Sequence, residues 1–265
     1  MRIPFTKMHG LGNDFMIIES IRQPINFTTQ DIINWGRRDT GVGFDQCLLI
    51  EPNNNAEIDF IYRIFNANGT EVGQCGNGAR CIALFVYKKK LINKKIIRVA
   101  TKTTNLTLTI HDEHTVSVDM GAVLWLQPST SIQLADGKQY YLHTLNIGNP
   151  HAILCVDNIQ DSPVATLGKM ISEHTMFPEQ TNVEFMQLIN PQQIKLRVYE
   201  RGCGETLACG SGAVAAVAAG QKFHGLSDSV NVILPGGELI VDRDIHTQHM
   251  CLTGPATFVY DGFLY

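Results

Sequence analysis

A chain of 265 residues, 44% hydrophobic and 17% charged, can bury a sizeable core as one large domain or as two of about 130 residues. Its net charge of −4 and pI near 6.1 argue against nucleic acid and anionic membranes as partners, because neither attracts this balance. No apolar N-terminal segment is evident, and the apolar stretches 81–87 and 213–219 are too short to span a bilayer. Seven cysteines, Cys47, Cys75, Cys81, Cys155, Cys203, Cys209 and Cys251, form an odd set without a secretory signal. Reduced thiols and a cytoplasmic location are therefore expected.

Along the chain, residues 29–38 predict an amphipathic helix capped by Thr28 or Thr29. Runs rich in Val, Ile, Thr and aromatics predict strands at 45–51, 58–65, 95–100, 106–111 and 115–120. Further strands are expected at 152–156, 182–189, 193–199 and 229–234, with a second amphipathic helix over 162–174. Two other helices, over 79–87 and 213–219, are apolar nearly all round and must be buried on every side. The expected class is α+β: two pseudo-twofold-related domains, each a curved, mostly antiparallel sheet wrapped around a buried central helix. The halves divide as 1–120 and 121–254, with 255–265 free to return to either.

The division rests on a repeat. Arg63-Ile-Phe-Asn66, Glu71 and Cys75-Gly-Asn-Gly-Ala79 recur 134 residues later as Arg197-Val-Tyr-Glu200, Glu205 and Cys209-Gly-Ser-Gly-Ala213. Asn13 and Asn149, and likewise Gln46 and Asn182, stand 136 residues apart. A pseudo-twofold would bring these polar stations to one cleft between the halves.

Each cysteine precedes a Gly-x-Gly turn and a buried helix, so its sulfur belongs at a helix N-terminus. There the free N–H groups and macrodipole favour negative charge, and both thiols are expected to have lowered pKa values. The amides of Gly76, Asn77, Gly210 and Ser211 suit a carboxylate. A thiol on each face of the adjacent carbon could remove and return a proton, inverting its configuration, while the amides stabilise the carbanion. No lysine sits within these loops, so pyridoxal phosphate is not implied, and no cofactor is expected. No metal is expected either: His111-x-x-His114 and His246-x-x-His249 lie in polar turns without a nearby cysteine. Gly210-Ser-Gly212 mimics a dinucleotide fingerprint, but the preceding strand ends near Glu200, too early for one. A Cys–His nucleophile using His151 would leave the second cysteine without a role.

Five separate segments carry a family resemblance. They are Phe5-Thr-Lys-Met-His-Gly-Leu-Gly-Asn-Asp-Phe15, the run from Phe65 through Cys75-Gly-Asn-Gly to Cys81, Gly148-Asn-Pro-His151, Thr181-Asn-Val-Glu-Phe185, and the run from Tyr199 through Cys209-Gly-Ser-Gly to Ala213. In this order and spacing the chain resembles the diaminopimelate epimerases over essentially its whole length. The resemblance implies cofactor-independent interconversion of LL- and meso-2,6-diaminoheptanedioate, on the route to lysine and peptidoglycan, usually by a homodimer. It makes Cys75 and Cys209 the acid/base pair and Gly76, Asn77, Gly210 and Ser211 the holders of the reacting carboxylate. Asn13, Gln46, Asn66, Asn149, Asn182, Glu200 and Arg201 match substrate contacts, and Arg201 could grip a distal carboxylate bidentately. His151 is a supporting residue that either orients Glu200 or satisfies a turn. Asn68, Gly73 and Ser211 depart from the family's usual Asp, bulkier residue and Thr, which puts loop rigidity in question but removes no catalytic group. Competing expectations are a proline or hydroxyproline two-thiol racemase, against which Asn66, Asn182 and Arg201 tell, a phenazine-type isomerase, and a noncatalytic amino-acid binder.

Overall fold

The computed structural model describes residues 2–265. Two compact units emerge: one holds the chain up to Val118 together with Gly254–Tyr265, and the other is Asp119–Thr253. Both mix helix with predominantly antiparallel sheet, and among the described residues no helix is long and apolar enough to cross a membrane.

In the first unit β1 (Ile3–Gly10) turns into β2 (Asn13–Glu19). The turn residues Leu11 and Gly12 both have positive φ, which glycine adopts without strain. Helix α1 (Thr29–Gly36) begins with a capping box. Thr28 Oγ1 accepts from the Asp31 amide at 3.2 Å, and the Asp31 carboxylate accepts from the Thr28 amide at 2.7 Å. The helix is a crossover to β3 (Gln46–Pro52), which runs parallel to β2, and its Ile32 enters a core with Phe5, Met16, Ile18 and Phe44. β4 (Phe60–Asn66) returns antiparallel, and β5 (Glu71–Val72) lies on it. A second crossover helix, α2 (Gly76–Lys88), leads to β6 (Ile96–Ala100), parallel to β4, and β7 (Asn105–Ile110) follows antiparallel. β8 (Thr115–Ala122) leaves the unit.

The second unit contains β9 (Leu124–Gln133), β10 (Gln139–Asn146) and β11 (Pro150–Cys155). After α3 (Val164–Ser172) come β12 (Asn182–Asn190), β13 (Gln193–Glu200) and β14 (Gly204–Thr206). Helix α4 (Gly210–Phe223) precedes β15 (Ser229–Leu234), β16 (Gly237–Arg243) and β17 (His249–Pro255). β18 (Thr257–Leu264) belongs to the first unit, antiparallel to β1.

The two units share one connectivity. β11 and β12 are parallel across α3, as β2 and β3 are across α1; β13 and β15 are parallel across α4, as β4 and β6 are across α2. Phe15 stands opposite Gln46, and His151 opposite Asn182, so the 136-residue offset is also a register. Both central helices are buried: α2 over 76–86, α4 at Gly210 and over 212–220. Alanine and glycine along α4 permit close strand approach.

Sequence patterning and structure differ at several elements. α1 ends at Gly36 rather than at 38, with Arg37 extended at its C-cap, and α3 is shorter at both ends than 162–174. β1, β2, β5, β9, β10, β14, β16, β17 and β18 form where patterning predicts no strand.

Candidate active site

Cys75 is the N-cap of α2. Its sulfur accepts from the Gly78 amide at 3.4 Å, and its thiol lies 3.9 Å from Asn13 Oδ1. The first i→i−4 bond of the helix is Ala79 N–H to the Cys75 carbonyl, 2.9 Å. The Gly76 and Asn77 amides therefore precede the helix ladder. Ahead of the cysteine, Arg63 clamps β4 to Glu71 at 2.8 Å. Arg197 clamps Glu205 at 2.7 Å in the second unit, so the repeated Arg and Glu pair with each other ahead of both cysteine loops. Glycine is required at 78 because a Cβ there would sit 2.3 Å from the Tyr62 hydroxyl.

The polar neighbours of Cys75 form a connected set. Asn77 donates to Asn13 Oδ1 at 3.3 Å, and Arg80, fully buried, donates to Asn77 Oδ1 at 3.0 Å and to the Pro255 carbonyl at 3.1 Å. Burial lowers the Arg80 pKa, while the adjacent Cys81 and Cys75 thiols support its charge. Asn13 in turn donates to Asp45 at 2.9 Å. Asp45 and Asp14 share Arg38, and Asp14 also accepts from buried Lys7. Burial works against the Asp14 carboxylate, but Arg38 and Lys7 outweigh it and bring its pKa down to about 2. Gln46 donates to Asn66 at 2.9 Å. Asn68 accepts from Thr70 N–H and Oγ1 at 3.0 and 2.7 Å, which are acceptor contacts that an Asp would also make. A Cβ at Gly73 would meet Thr103 Cγ2 at 2.5 Å, so the bulkier family residue needs Thr103 to move.

Cys209 occupies the same place at the start of α4, with Ala213 N–H to its carbonyl at 3.0 Å as the first ladder bond. Its surroundings are of the opposite kind. The side chain is buried, and its sulfur lies 3.6 Å from Ser211 Oγ. Burial, then Glu200 and Glu184, push the thiol well above its usual range; the Gly212 amide and Ser211 hydroxyl pull the other way and lose. The expectation that a helix N-terminus lowers both thiols fails here, because desolvation outweighs the terminal dipole.

His151 does not divide between the two roles expected of it. Its Nδ1 meets Glu184 Oε1 at 2.7 Å and its Nε2 meets Asn149 Oδ1 at 2.9 Å, with His151 and Glu184 fully buried. Both ring nitrogens of His151 are thus engaged by side-chain oxygens of its own unit. Burial raises the Glu184 pKa, His151 opposing. Glu200 accepts a short hydrogen bond from the Thr206 hydroxyl. Asn182 donates to the Pro150 carbonyl and accepts from the Arg201 amide, both at 3.0 Å. The exposed Arg201 guanidinium donates to the Glu179 carbonyl at 3.1 Å.

Thus Asn13, Asn66, Gln46, Gly76 and Asn77 lie in the same unit as Cys75, and Asn149, His151, Asn182, Glu200, Arg201, Gly210 and Ser211 lie in the same unit as Cys209. Arg80, Tyr62 and Glu184 are additional members. A signal existed for two of them: Arg80 is the one charged residue in the apolar run 79–87, and Glu184 interrupts the apolar strand 183–186.

Comparison with known proteins bears on this geometry. The family model described as diaminopimelate epimerase matches residues 5–126 and 143–259. A protein named diaminopimelate epimerase from Legionella pneumophila strain Philadelphia 1 is 53% identical, covering 100% of this chain and 99% of its own. Its counterpart in strain Paris is also 53% identical over the same shares. Among solved structures, a probable proline racemase from Agrobacterium radiobacter K84 superposes with TM-score 0.76 at 13% identity, covering 99% of this chain and 93% of its own. A phenazine biosynthesis protein of the PhzF family from Bacillus anthracis gives TM-score 0.73 at 14% identity, with 100% and 99% covered. At such identities these two structures share the fold.

Proposed function

Because the chain belongs to the diaminopimelate epimerase family, we propose that it interconverts LL- and meso-2,6-diaminoheptanedioate by a two-thiol mechanism. The observation that carries the mechanism is the equivalence of Cys75 and Cys209: each caps a buried helix whose first amides precede the backbone ladder. A substrate carboxylate accepts from Gly76, Asn77, Gly210 and Ser211, with its α-carbon between the two sulfurs. One thiolate takes the α-proton, the amides hold the charge that develops on the carboxylate, and the opposite thiol delivers a proton to the other face. Both transfers are assigned to sulfur, so the thiolate and thiol exchange roles in each turnover and titrate as a coupled pair.

The remaining residues read the rest of a diamino diacid. Arg201, with Asn66 and Asn182, takes the distal carboxylate; Glu200 and the amide oxygens of Asn13 and Asn149 accept from the ammonium groups, with Gln46 holding Asn66. His151 positions Asn149 and keeps Glu184 from standing as a lone buried charge. We read the enzyme as a cytoplasmic homodimer serving lysine and peptidoglycan precursor synthesis.

The test is solvent deuterium incorporation at the α-carbon of LL-diaminopimelate by the reduced enzyme without added cofactor. Deuterium in both the recovered substrate and the meso product is expected. LL-substrate that stays unlabelled and unconverted, with proline or 4-hydroxyproline labelled instead, would replace the proposal with a ring-amino-acid racemase.

A further inference from the structure

One cluster in the second unit takes no part in that chemistry. His143 on β10 stands opposite Ile153 of β11, which puts Cys155, two residues on, along the same side of the sheet. His224, the C-cap of α4, completes the group. The His143 and His224 Nε2 atoms are 3.1 Å apart, and Cys155 Sγ is 3.2 Å from His224 Nε2. All three ligand atoms lie within 4.8 Å of one another.

The rings are already oriented. His143 stacks on Phe223 at 4.2 Å with 4° between the planes, and Trp125 packs edge-on against the same Phe223 at 5.5 Å. His143 Nδ1 faces Ser129 Oγ at 3.5 Å, which directs Nε2 toward the cluster. Tetrahedral zinc takes nitrogen at about 2.0–2.1 Å and thiolate sulfur at about 2.3 Å. Three such bonds need the His143–His224 and Cys155–His224 ligand atoms slightly further apart than they stand here, with the third pair within 4.8 Å, a change small side-chain rotations supply. A pocket of about 300 Å³, bordered by Tyr140 and Tyr141, opens on the group and leaves room for a fourth, exchangeable ligand.

We propose that His143, Cys155 and His224 bind one borderline transition-metal ion of zinc's class, with a solvent molecule as fourth ligand. Binding forms two metal–nitrogen bonds and one metal–sulfur bond; the Cys155 thiol releases its proton to solvent. Two neutral imidazoles and one thiolate suit zinc or cobalt better than magnesium or calcium, which take oxygen ligands.

Cobalt(II) is the probe, added to the full-length reduced protein and followed by absorption. One equivalent is expected to give thiolate-to-cobalt charge transfer together with intense tetrahedral ligand-field bands, displaced by zinc. The spectrum should persist in a Cys75→Ser, Cys209→Ser double variant, lose its charge-transfer band in Cys155→Ser, and need about tenfold or more metal in His224→Ala. X-ray absorption of the zinc-loaded wild type checks the site without any variant, by one sulfur and two imidazole nitrogens in the first shell. Absence of stoichiometric binding, an all-oxygen shell, or a band that survives Cys155→Ser and vanishes in the double variant would overturn the proposal.

Discussion

The two cysteine stations share a backbone and differ in what is buried beside it. At corresponding registers the first unit has Phe15 and Leu48 where the second has His151 and Glu184, all four fully buried. On the helices the relation reverses: Arg80 in α2 corresponds to Val214 in α4, again both fully buried. The Tyr62 hydroxyl and Glu184 Oε1 occupy the space beside the equivalent glycines, 78 and 212. One thiol thus has a buried cation one helical turn away, and the other has carboxyl groups. A fixed cation favours an anion near it, and carboxylates disfavour one. Under the proposed mechanism, the duplicated scaffold supplies two equivalent thiols, and their unlike buried neighbours would set their acidities apart.

The thiols themselves come first. Cys75→Ser and Cys209→Ser should each lower kcat by about 10³-fold or more, with thermal unfolding little changed because the substitution is nearly isosteric. Wild-type turnover in either variant would leave one station without a function, and the symmetry would be structural only.

The buried neighbours come next, and their opposite charges predict opposite shifts. Arg80→Met removes the cation and its hydrogen bonds to the Asn77 side-chain oxygen and the Pro255 carbonyl. A loss of about tenfold to a hundredfold in kcat is expected, and the rising limb of the pH–rate profile should move to higher pH. Arg80→Lys, which keeps the charge, should bring the limb back toward the wild type. Glu184→Gln removes one of the groups that push Cys209 up, so the limb that depends on Cys209 should move to lower pH. That effect is smaller, about tenfold or less, because burial, the leading cause at Cys209, remains. Shifts in the same direction for both would mean that the opposite surroundings have no opposite effect.

Much of this arrangement is legible in sequence because the chemistry-bearing stations recur in spacing. Cysteine, Gly-x-Gly and the Arg–Glu clamps keep an offset of 134, and nothing but a repeated fold requires that. The polarity of the stations is less legible. Arg80 and Glu184 each interrupt an apolar run, yet a sequence does not say that a lone charge in such a run is buried with partners from elsewhere, here the carbonyl of Pro255 and the ring of His151. The unpredicted strands have related causes. β1 reads Ile-Pro-Phe-Thr-Lys-Met-His-Gly and buries four consecutive residues, Lys7 among them, so it lacks alternation. β18 carries Asp261 and Gly262 and leaves Val259, Tyr260 and Phe263 exposed, the reverse of an inward-facing pattern. His143, Cys155 and His224 come from β10, β11 and the end of α4, and no spacing rule joins them.

The mildest prediction concerns the charges behind Asn13. Lys7, Asp14, Arg38 and Asp45 form a network in the first unit, whereas Asp14 and Asp45 correspond to Pro150 and Thr181 in the second. Asp14 titrates at about 2 in the folded protein against 3.8 ordinarily. A depressed carboxylate pKa stabilises the fold above the unfolded value and loses that contribution as pH falls through the folded one. The contribution is therefore complete above about pH 5 and gone near pH 1. With allowance for partial solvent screening, Asp14→Asn should cost about 1–2 kcal/mol at neutral pH, or a Tm lower by roughly 2–8 °C. The gap should close on acidification, and hydrogen exchange should place the loss in the first unit, since the second has no equivalent pair to release. A gap independent of pH would mean that Asp14 acts through packing, and the two units would then differ less in their electrostatics than their cysteine stations imply.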